Sequence, residues 1–193
     1  EDPQQLDKSL SIILQESRSM QSIITNMLQL TKLENKEITP LREKISTLDL
    51  FCRLEEEFKS VKSNLNINFL KENDSFIYTD YELLHQVFVI ILSNSIKFIK
   101  DNPIIELRFT QSNKSAVFEI EDNGKGFNSE ILPHVFERFY RGDKSHNRAA
   151  GGSGLGLSIA KAIVNILNGE ITASNSKNGG ALLTITLRCE PLE

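Results

Sequence analysis

A strand-like stretch that ends in Asp122-Asn123-Gly124-Lys125-Gly126, and a helical pattern that opens on Gly152-Ser153-Gly154-Leu155-Gly156-Leu157, constrain this chain more than any other feature. The aromatic and basic run Phe136-Glu137-Arg138-Phe139-Tyr140-Arg141 lies between them. Glycine clusters let backbone N–H groups approach a ligand closely, and a helix that begins at the second cluster turns the positive end of its dipole the same way. A phosphorylated nucleotide suits both.

Charge and size narrow the partners. With 26 acidic against 22 basic residues the net charge is -4, and Lys and Arg are scattered, so no positive field exists for nucleic acid or for direct contact with an anionic membrane. At 193 residues and 39% hydrophobic content there is enough for one full core plus an appended element. Cys52 and Cys189 have no metal-ligand or redox spacing, which fits a reducing, cytoplasmic setting. No run of about eighteen apolar residues is present, and the start at Glu1 leaves room for a membrane anchor upstream.

Leu6, Ile13, Met20 and Met27 recur every seventh residue, widened by Leu10, Leu14, Ile23, Ile24, Leu28 and Leu30, with no Gly or Pro over residues 4–38. This predicts one long amphipathic helix whose seam is covered in a helical bundle or coiled-coil dimer; an ordinary core helix of the following domain is the plainer alternative. Pro40 is expected to end it, leaving residues 35–46 as a linker and a domain boundary near residue 38. Beyond lie a helix over residues 48–59, strands over 65–69 and 76–78, and an apolar helix over 81–99, with N-caps offered by Thr79 and Asp80 and a capping-box spacing between Thr79 and Glu82. Asn102-Pro103 stops that helix. Strands over 105–109, 117–121, 171–174 and 181–187, the last two hinged at Asn178-Gly179-Gly180, and a helix over 155–167 complete the pattern. The fold expected is α+β: a two-layer α/β sandwich, its mixed, mostly antiparallel sheet covered by helices on one face, preceded by one long bundle helix.

Several polar groups stand where chemistry can use them. Asn94 and Lys97 share one face of the apolar helix; an amide oxygen can ligate Mg²⁺ and an ammonium can meet phosphate, although a solvated helix edge explains both. Asp122 can accept from an exocyclic amine such as adenine's, or can simply form the Asp-Asn-Gly turn of a hairpin. Arg138, Arg141 and Lys144 lie in a long polar stretch, 128–154, that reads as a lid over terminal phosphate, with Phe136, Phe139 and Tyr140 to seat it; a solvated loop with an aromatic anchor is the alternative.

Taken together these residues resemble a known family. Ile91-Leu92-Ser93-Asn94-Ser95-Ile96-Lys97-Phe98 is similar to the N box, residues 122–126 to the first glycine box, 136–141 to the F box and 152–157 to the second glycine box of sensor histidine kinases of bacterial two-component systems. The resemblance spans about residues 41–187 and implies a GHKL-type ATPase sandwich (residues 39–193 as the catalytic domain), with residues 1–38 as the second helix of a dimerisation and phosphotransfer hairpin. It implies ATP and Mg²⁺ as cofactors, with Asn94 on the metal, Lys97 on phosphate and Phe98 against the base. Asp122 with Asn123, Gly124 and Gly126 would form the adenine pocket. Arg138, Phe139 and Arg141 would approach from the lid, and Gly152, Gly154, Leu155, Gly156 and Leu157 would close over the phosphates. The implied reaction transfers the γ-phosphoryl group to a hairpin histidine, for relay to an aspartate on a response regulator receiver domain. Implied too are a homodimer through the hairpin and a cytoplasmic position in a membrane-anchored receptor.

Two departures qualify this. Ile90 stands where family members often carry a second Asn, and the hairpin's first helix with its phosphoacceptor histidine is not in the sequence; His85, His134 and His146 lack that context. An ATP-binding module that does not transfer phosphate is the alternative function. Other GHKL ATPases are a third reading, against which Ile90 counts because chaperone and repair members carry an acidic base there.

Overall fold

The computed structural model describes residues 3–61, 64–70, 75–99, 102–141 and 153–189. A long helix, α1 (Pro3–Glu34), leads into β1 (Glu43–Ser46), α2 (Thr47–Val61), β2 (Asn66–Leu70), β3 (Phe76–Thr79) and α3 (Tyr81–Phe98). The strands β4 (Ile104–Gln111) and β5 (Ser115–Asp122) follow, then a single 3-10 turn (Leu132–His134), α4 (Gly156–Ile166), β6 (Gly169–Asn175) and β7 (Ala181–Arg188).

Five strands form one sheet in the order β2-β4-β5-β7-β6, and β1 pairs antiparallel with β3 in a separate two-stranded sheet. Within the larger sheet β2 and β4 are parallel and the other pairs antiparallel. A parallel pair needs a crossover, which the β3–α3 segment supplies. Strict alternation along β5 buries Ala116, Phe118, Ile120 and Asp122 beneath the helices and leaves Val117, Glu119 and Glu121 on the other face. This is the two-layer sandwich with a mixed sheet that the sequence predicts, one face covered and one wet.

The core is aromatic at its centre. Phe51 of α2 stacks on Phe69 of β2 at 5.1 Å, and Phe88 of α3 meets Phe118 of β5 edge-on at 5.4 Å. Such pairs add about 0.5–1.5 kcal/mol each beyond the area they bury. The uncovered face is charged: Arg108 bridges Glu106 and Glu121, each at 2.7 Å.

Three local expectations need correction. Helix α1 stops at Glu34, four residues before the expected end, and Pro40 does not stop it. Lys36 adopts a left-handed conformation (φ 56°), its N–H donates to Leu33 O, and Glu37 N–H donates to Lys32 O. That double closure satisfies the terminal carbonyls and turns the chain. The expected linker also contains β1, whose register against β3 pairs Ile45 with Ile77; a short strand with one buried apolar residue gives too weak a period to be legible. Finally, of the two N-caps expected for α3, Asp80 is the one used, accepting from Leu83 N–H at 2.9 Å, while Thr79, expected to form a capping box with Glu82, belongs to β3. The other oxygen of Asp80 accepts from Leu41 N–H at 2.7 Å and so ties the connecting segment to the start of α3.

Along α1 the seven-residue stripe is uncovered as far as Met27 and Leu28, with Leu6, Ile13 and Met20 each more than half exposed. Leu30 and Leu33 differ: both are buried in the same core as the sandwich. Among the described residues, no helix is long and apolar enough to cross a membrane.

Candidate nucleotide site

Helix α3 is the axis of the site. Ile90 and Asn94 lie one turn apart, and both face the first residue of α4: a Cβ at Gly156 would stand 3.4 Å from Ile90 Cγ2 and 3.9 Å from Asn94 Nδ2. The N-terminus of α4 therefore lies against the face of α3 that carries Asn94, at a spacing where a Cβ on Gly156 would make ordinary van der Waals contact. The first intrahelical bond of α4 closes from Ile159 N–H to Leu155 O, so the N–H groups of Gly156, Leu157 and Ser158 precede it with no helical acceptor. Leu155, fully buried, anchors that end of the helix in the core. These N–H groups and the helix dipole make a positive pole suited to phosphate oxygens.

The far end of α3 meets the first glycine cluster. A Cβ on Gly124 would lie 3.5 Å from Ile99 Cγ1 and 2.9 Å from Asp122 Oδ1. Asp122 closes β5 and is 8% exposed. Its Oδ1 accepts from Gly124 N–H at 2.9 Å and from Ala181 N–H at 3.1 Å. Among the described residues no hydrogen bond engages its second oxygen, so one acceptor is held rigidly while the other is available to an amine. Gly126 has φ 68°, and a Cβ there would meet Asn175 Oδ1 at 2.6 Å and Gly179 O at 2.7 Å, so only glycine fits.

The aromatic and basic run is joined to the second glycine cluster by backbone. Phe139 N–H donates to Gly154 O at 3.0 Å. Gly154 has φ 69°, with Phe139 C and Cα at 2.8 and 2.9 Å from where a Cβ would stand. Phe139 itself has φ 59°, unusual for a bulky residue and held here by that contact. Phe136 is half-buried with the Lys161 ammonium of α4 5.5 Å from its ring centroid, and Tyr140 is also half-buried, whereas Phe139 is 52% exposed. Part of the expected lid is thus ordered turn against α4.

Other candidates fall in different places. Phe98 is exposed at the end of α3, as are Lys97 and Arg141. Arg138 pairs with Glu34 of α1 and lines a groove of about 830 Å³ between the end of α1, the connecting segment and α4, apart from Asp122 and Asn94. Asn123 spends its amide on the backbone, accepting from Ile104 N–H and donating to Asn102 O, each at 3.0 Å, so its part is to shape the loop. Gly152, Lys144 and His146 lie outside the described residues. His85, on α3 like Asn94, stacks on Tyr81 with Nε2 3.1 Å from a Glu57 oxygen but not aligned for a hydrogen bond, and exposed His134 sits 2.7 Å from Glu137; among the described residues no hydrogen bond or ion pair joins either to Asn94 or Asp122.

The sequence reading missed Asn175. Its Oδ1 accepts from Phe127 N–H at 2.6 Å and its Nδ2 donates to Phe127 O at 2.8 Å. A lone Asn at a strand end carries no pattern that points across the sheet. Beside it, a hydrogen bond from Ser176 and the Arg108 guanidinium hold the Glu121 carboxyl below the usual carboxylate range against the opposing effect of burial.

A buried carboxylate beside close-packed glycines, with a helix N-terminus and an amide one helix away, defines a nucleotide-binding sandwich. Residues 79–191 match the family of histidine kinase-, DNA gyrase B-, and HSP90-like ATPases. The chain belongs to that family, and its ATP-binding domain is of the sensor histidine kinase type. It is 31% identical over 189 residues, 95% of its length, to the sensor protein kinase WalK of Staphylococcus aureus. The chain spans less than half of that relative, 45% of it. The fold is also that of full-length ShkA in complex with AMPPNP (TM-score 0.75, 19% identity, 96% of this chain and 40% of that one). The histidine kinase ThkA, solved with response regulator protein TrrA, is equally alike (TM-score 0.75, 20% identity, 99% of this chain and 53% of that one).

Proposed function

We propose that this chain binds Mg·ATP between α3, the first glycine cluster and the N-terminus of α4, and donates the γ-phosphoryl group to a histidine on a hairpin helix outside the chain. The observation that carries this is the placement of α3, whose Asn94 faces the start of α4 while Ile99 faces Gly124 beside Asp122. Asp122 offers its unengaged oxygen to the adenine amine, and the N–H groups at the start of α4 take the phosphates. Asn94 offers one neutral oxygen, which fits a Mg²⁺ that keeps phosphate and water as its other ligands; among the described residues no cluster of three His, Cys, Asp or Glu competes for a metal. When bound, Mg²⁺ neutralises charge on the triphosphate.

In the transfer, the bond between the γ-phosphorus and the bridging oxygen of ADP breaks as the imidazole nitrogen attacks in line. The chain contributes position and electrostatics: rigid N–H donors, cations from Lys97 and Arg141, and a segment over the phosphates that excludes water. Ile90 adds packing against Gly156 where a second amide would otherwise stand. Residues 1–38 act as the second helix of a dimerisation hairpin and 39–193 as the catalytic domain; the uncovered stripe from Leu6 to Leu28 supports a homodimer. ThkA, solved with TrrA, supports a response regulator as the next acceptor. WalK, a sensor protein kinase, supports a receptor whose cytoplasmic part this is.

Two measurements test the proposal. Titration calorimetry with Mg·ATP is expected to show weaker binding for Asn94→Asp and for Asp122→Asn with unchanged circular dichroism; wild-type affinity in both would overturn the site. Radiolabelled ATP with a supplied hairpin fragment containing the histidine is expected to label the hairpin. Nucleotide binding without label would refute transfer.

A further inference from the structure

The loop from Asp122 to Phe127 is pinned at both ends by a single cross-strand pair. Asn175 ends β6 and Ala181 begins β7, and the two are register partners. Ala181 N–H donates to Asp122 Oδ1 at 3.1 Å, fixing the carboxylate at the start of the loop. Asn175 clasps the peptide groups on either side of Phe127 Cα with both ends of its amide, at 2.6 and 2.8 Å, fixing the far end. The fit between them is tight, since Asn175 Oδ1 and Gly179 O occupy the space in front of Gly126 Cα. The hairpin turn is itself closed by Ser176 N–H to Gly180 O at 2.8 Å and Gly179 N–H to Ser176 O at 3.1 Å. Loop span, and with it the separation between the Asp122 carboxylate and the opposite wall, is therefore set by the Asn175–Ala181 pair.

We infer that Asn175 is a positioning residue for base recognition: its side-chain clamp on Phe127 holds the first glycine loop at the width that lets Asp122 read adenine. Asn175 acts through the loop, by its two bonds to Phe127. The side chain is suited to the task because only an amide presents a donor and an acceptor side by side, matching the N–H and C=O of one residue as a neighbouring strand would. Aspartate keeps the acceptor but sets a carboxylate against Phe127 O. Alanine removes both bonds. The inference rests on the nucleotide reading above, and its test separates the two.

The experiment measures ATP and GTP dissociation constants by competition against a fluorescent nucleotide, for the wild-type chain, Asn175→Ala and Asn175→Asp, alongside thermal unfolding. ATP affinity is expected to fall about tenfold in both variants, the equivalent of roughly one hydrogen bond. GTP, whose guanine carries a carbonyl oxygen where adenine carries its 6-amine, is expected to change less than about twofold, so that the preference for ATP shrinks. A proportional loss for both nucleotides would mark Asn175 as merely structural and overturn the inference, as would unchanged ATP affinity. Should both variants fail to fold, the wild-type side-chain amide resonances of Asn175 decide: they are expected to shift on adding adenosine, and no shift would overturn the inference. A wild-type chain that binds no ATP would remove the underlying site as well, whereas an ATP loss on Asp122→Asn alone would remove only the role of Asn175.

Discussion

Replacing Gly154 by alanine should separate the function of the phosphate side from the stability of the sandwich. The new Cβ would sit 2.8 Å from Phe139 C, 2.9 Å from Phe139 Cα and 3.0 Å from Tyr140 O, all backbone atoms. Ordinary carbon contacts begin near 3.5 Å, so the segment carrying Phe139 must retreat by about half an ångström or more. Alanine at φ 69° adds roughly 1–2 kcal/mol of left-handed strain. Retreat also loses the bond from Phe139 N–H to Gly154 O, worth about 1 kcal/mol. These combine to roughly 2–3 kcal/mol, and detaching the Phe139 segment relieves them more cheaply than opening the sheet, because Phe139 is exposed and lies outside the core. The expected result is amide exchange at Phe139 accelerated on the order of 30- to 150-fold. Thermal unfolding should move by less than about 3 °C, and ATP affinity should fall by on the order of tenfold or more. Asparagine at the same position is a control, since it tolerates the left-handed region but carries the same Cβ. An alanine variant with unchanged Phe139 exchange and wild-type ATP binding would refute the reasoning, and an asparagine variant that behaves as wild type would show that strain, not collision, matters.

Lys36→Gly removes the left-handed strain at the end of α1 and should raise stability by about 0.5–1 kcal/mol in urea titration, net of the extra freedom glycine gives the unfolded chain; a loss of stability would mean that the Lys36 side chain contributes more than its backbone costs. Because the Glu121 carboxyl is held below its usual range by Ser176 and Arg108, its contribution is present above the unfolded glutamate pKa of about 4.3 and is lost as pH falls through the lower folded value. Wild-type stability should therefore decline more steeply than that of Glu121→Gln between about pH 5 and pH 3, and parallel urea midpoints over that range would count against the assignment.

Most of the strands and helices were legible because their periods are strong. The alternation from Ala116 to Asp122 and the apolar run of α3 declare buried faces whatever surrounds them. Glycine spacing likewise announced where backbone must pass close to backbone, as Gly126 and Gly154 then do. The end of α1 was not legible, since a left-handed lysine has no compositional mark, and neither was β1, which is a strand only because β3 lies beside it.

Sequence alone therefore determined most of the elements, the apolar stripe of α1 and the residue types able to meet a nucleotide, all of them properties of local spacing. Only the tertiary structure decided which of those types converge. Asn94 meets the start of α4, while Arg138 turns away to Glu34 and Asn123 is consumed by its own loop. Asn175, forty-eight residues from Phe127, enters through the pairing of β6 with β7. The physical reason is range: periodicity reports whether a side chain is buried, but a hydrogen bond between residues far apart in the chain exists only once the sheet order has brought them within about 3 Å.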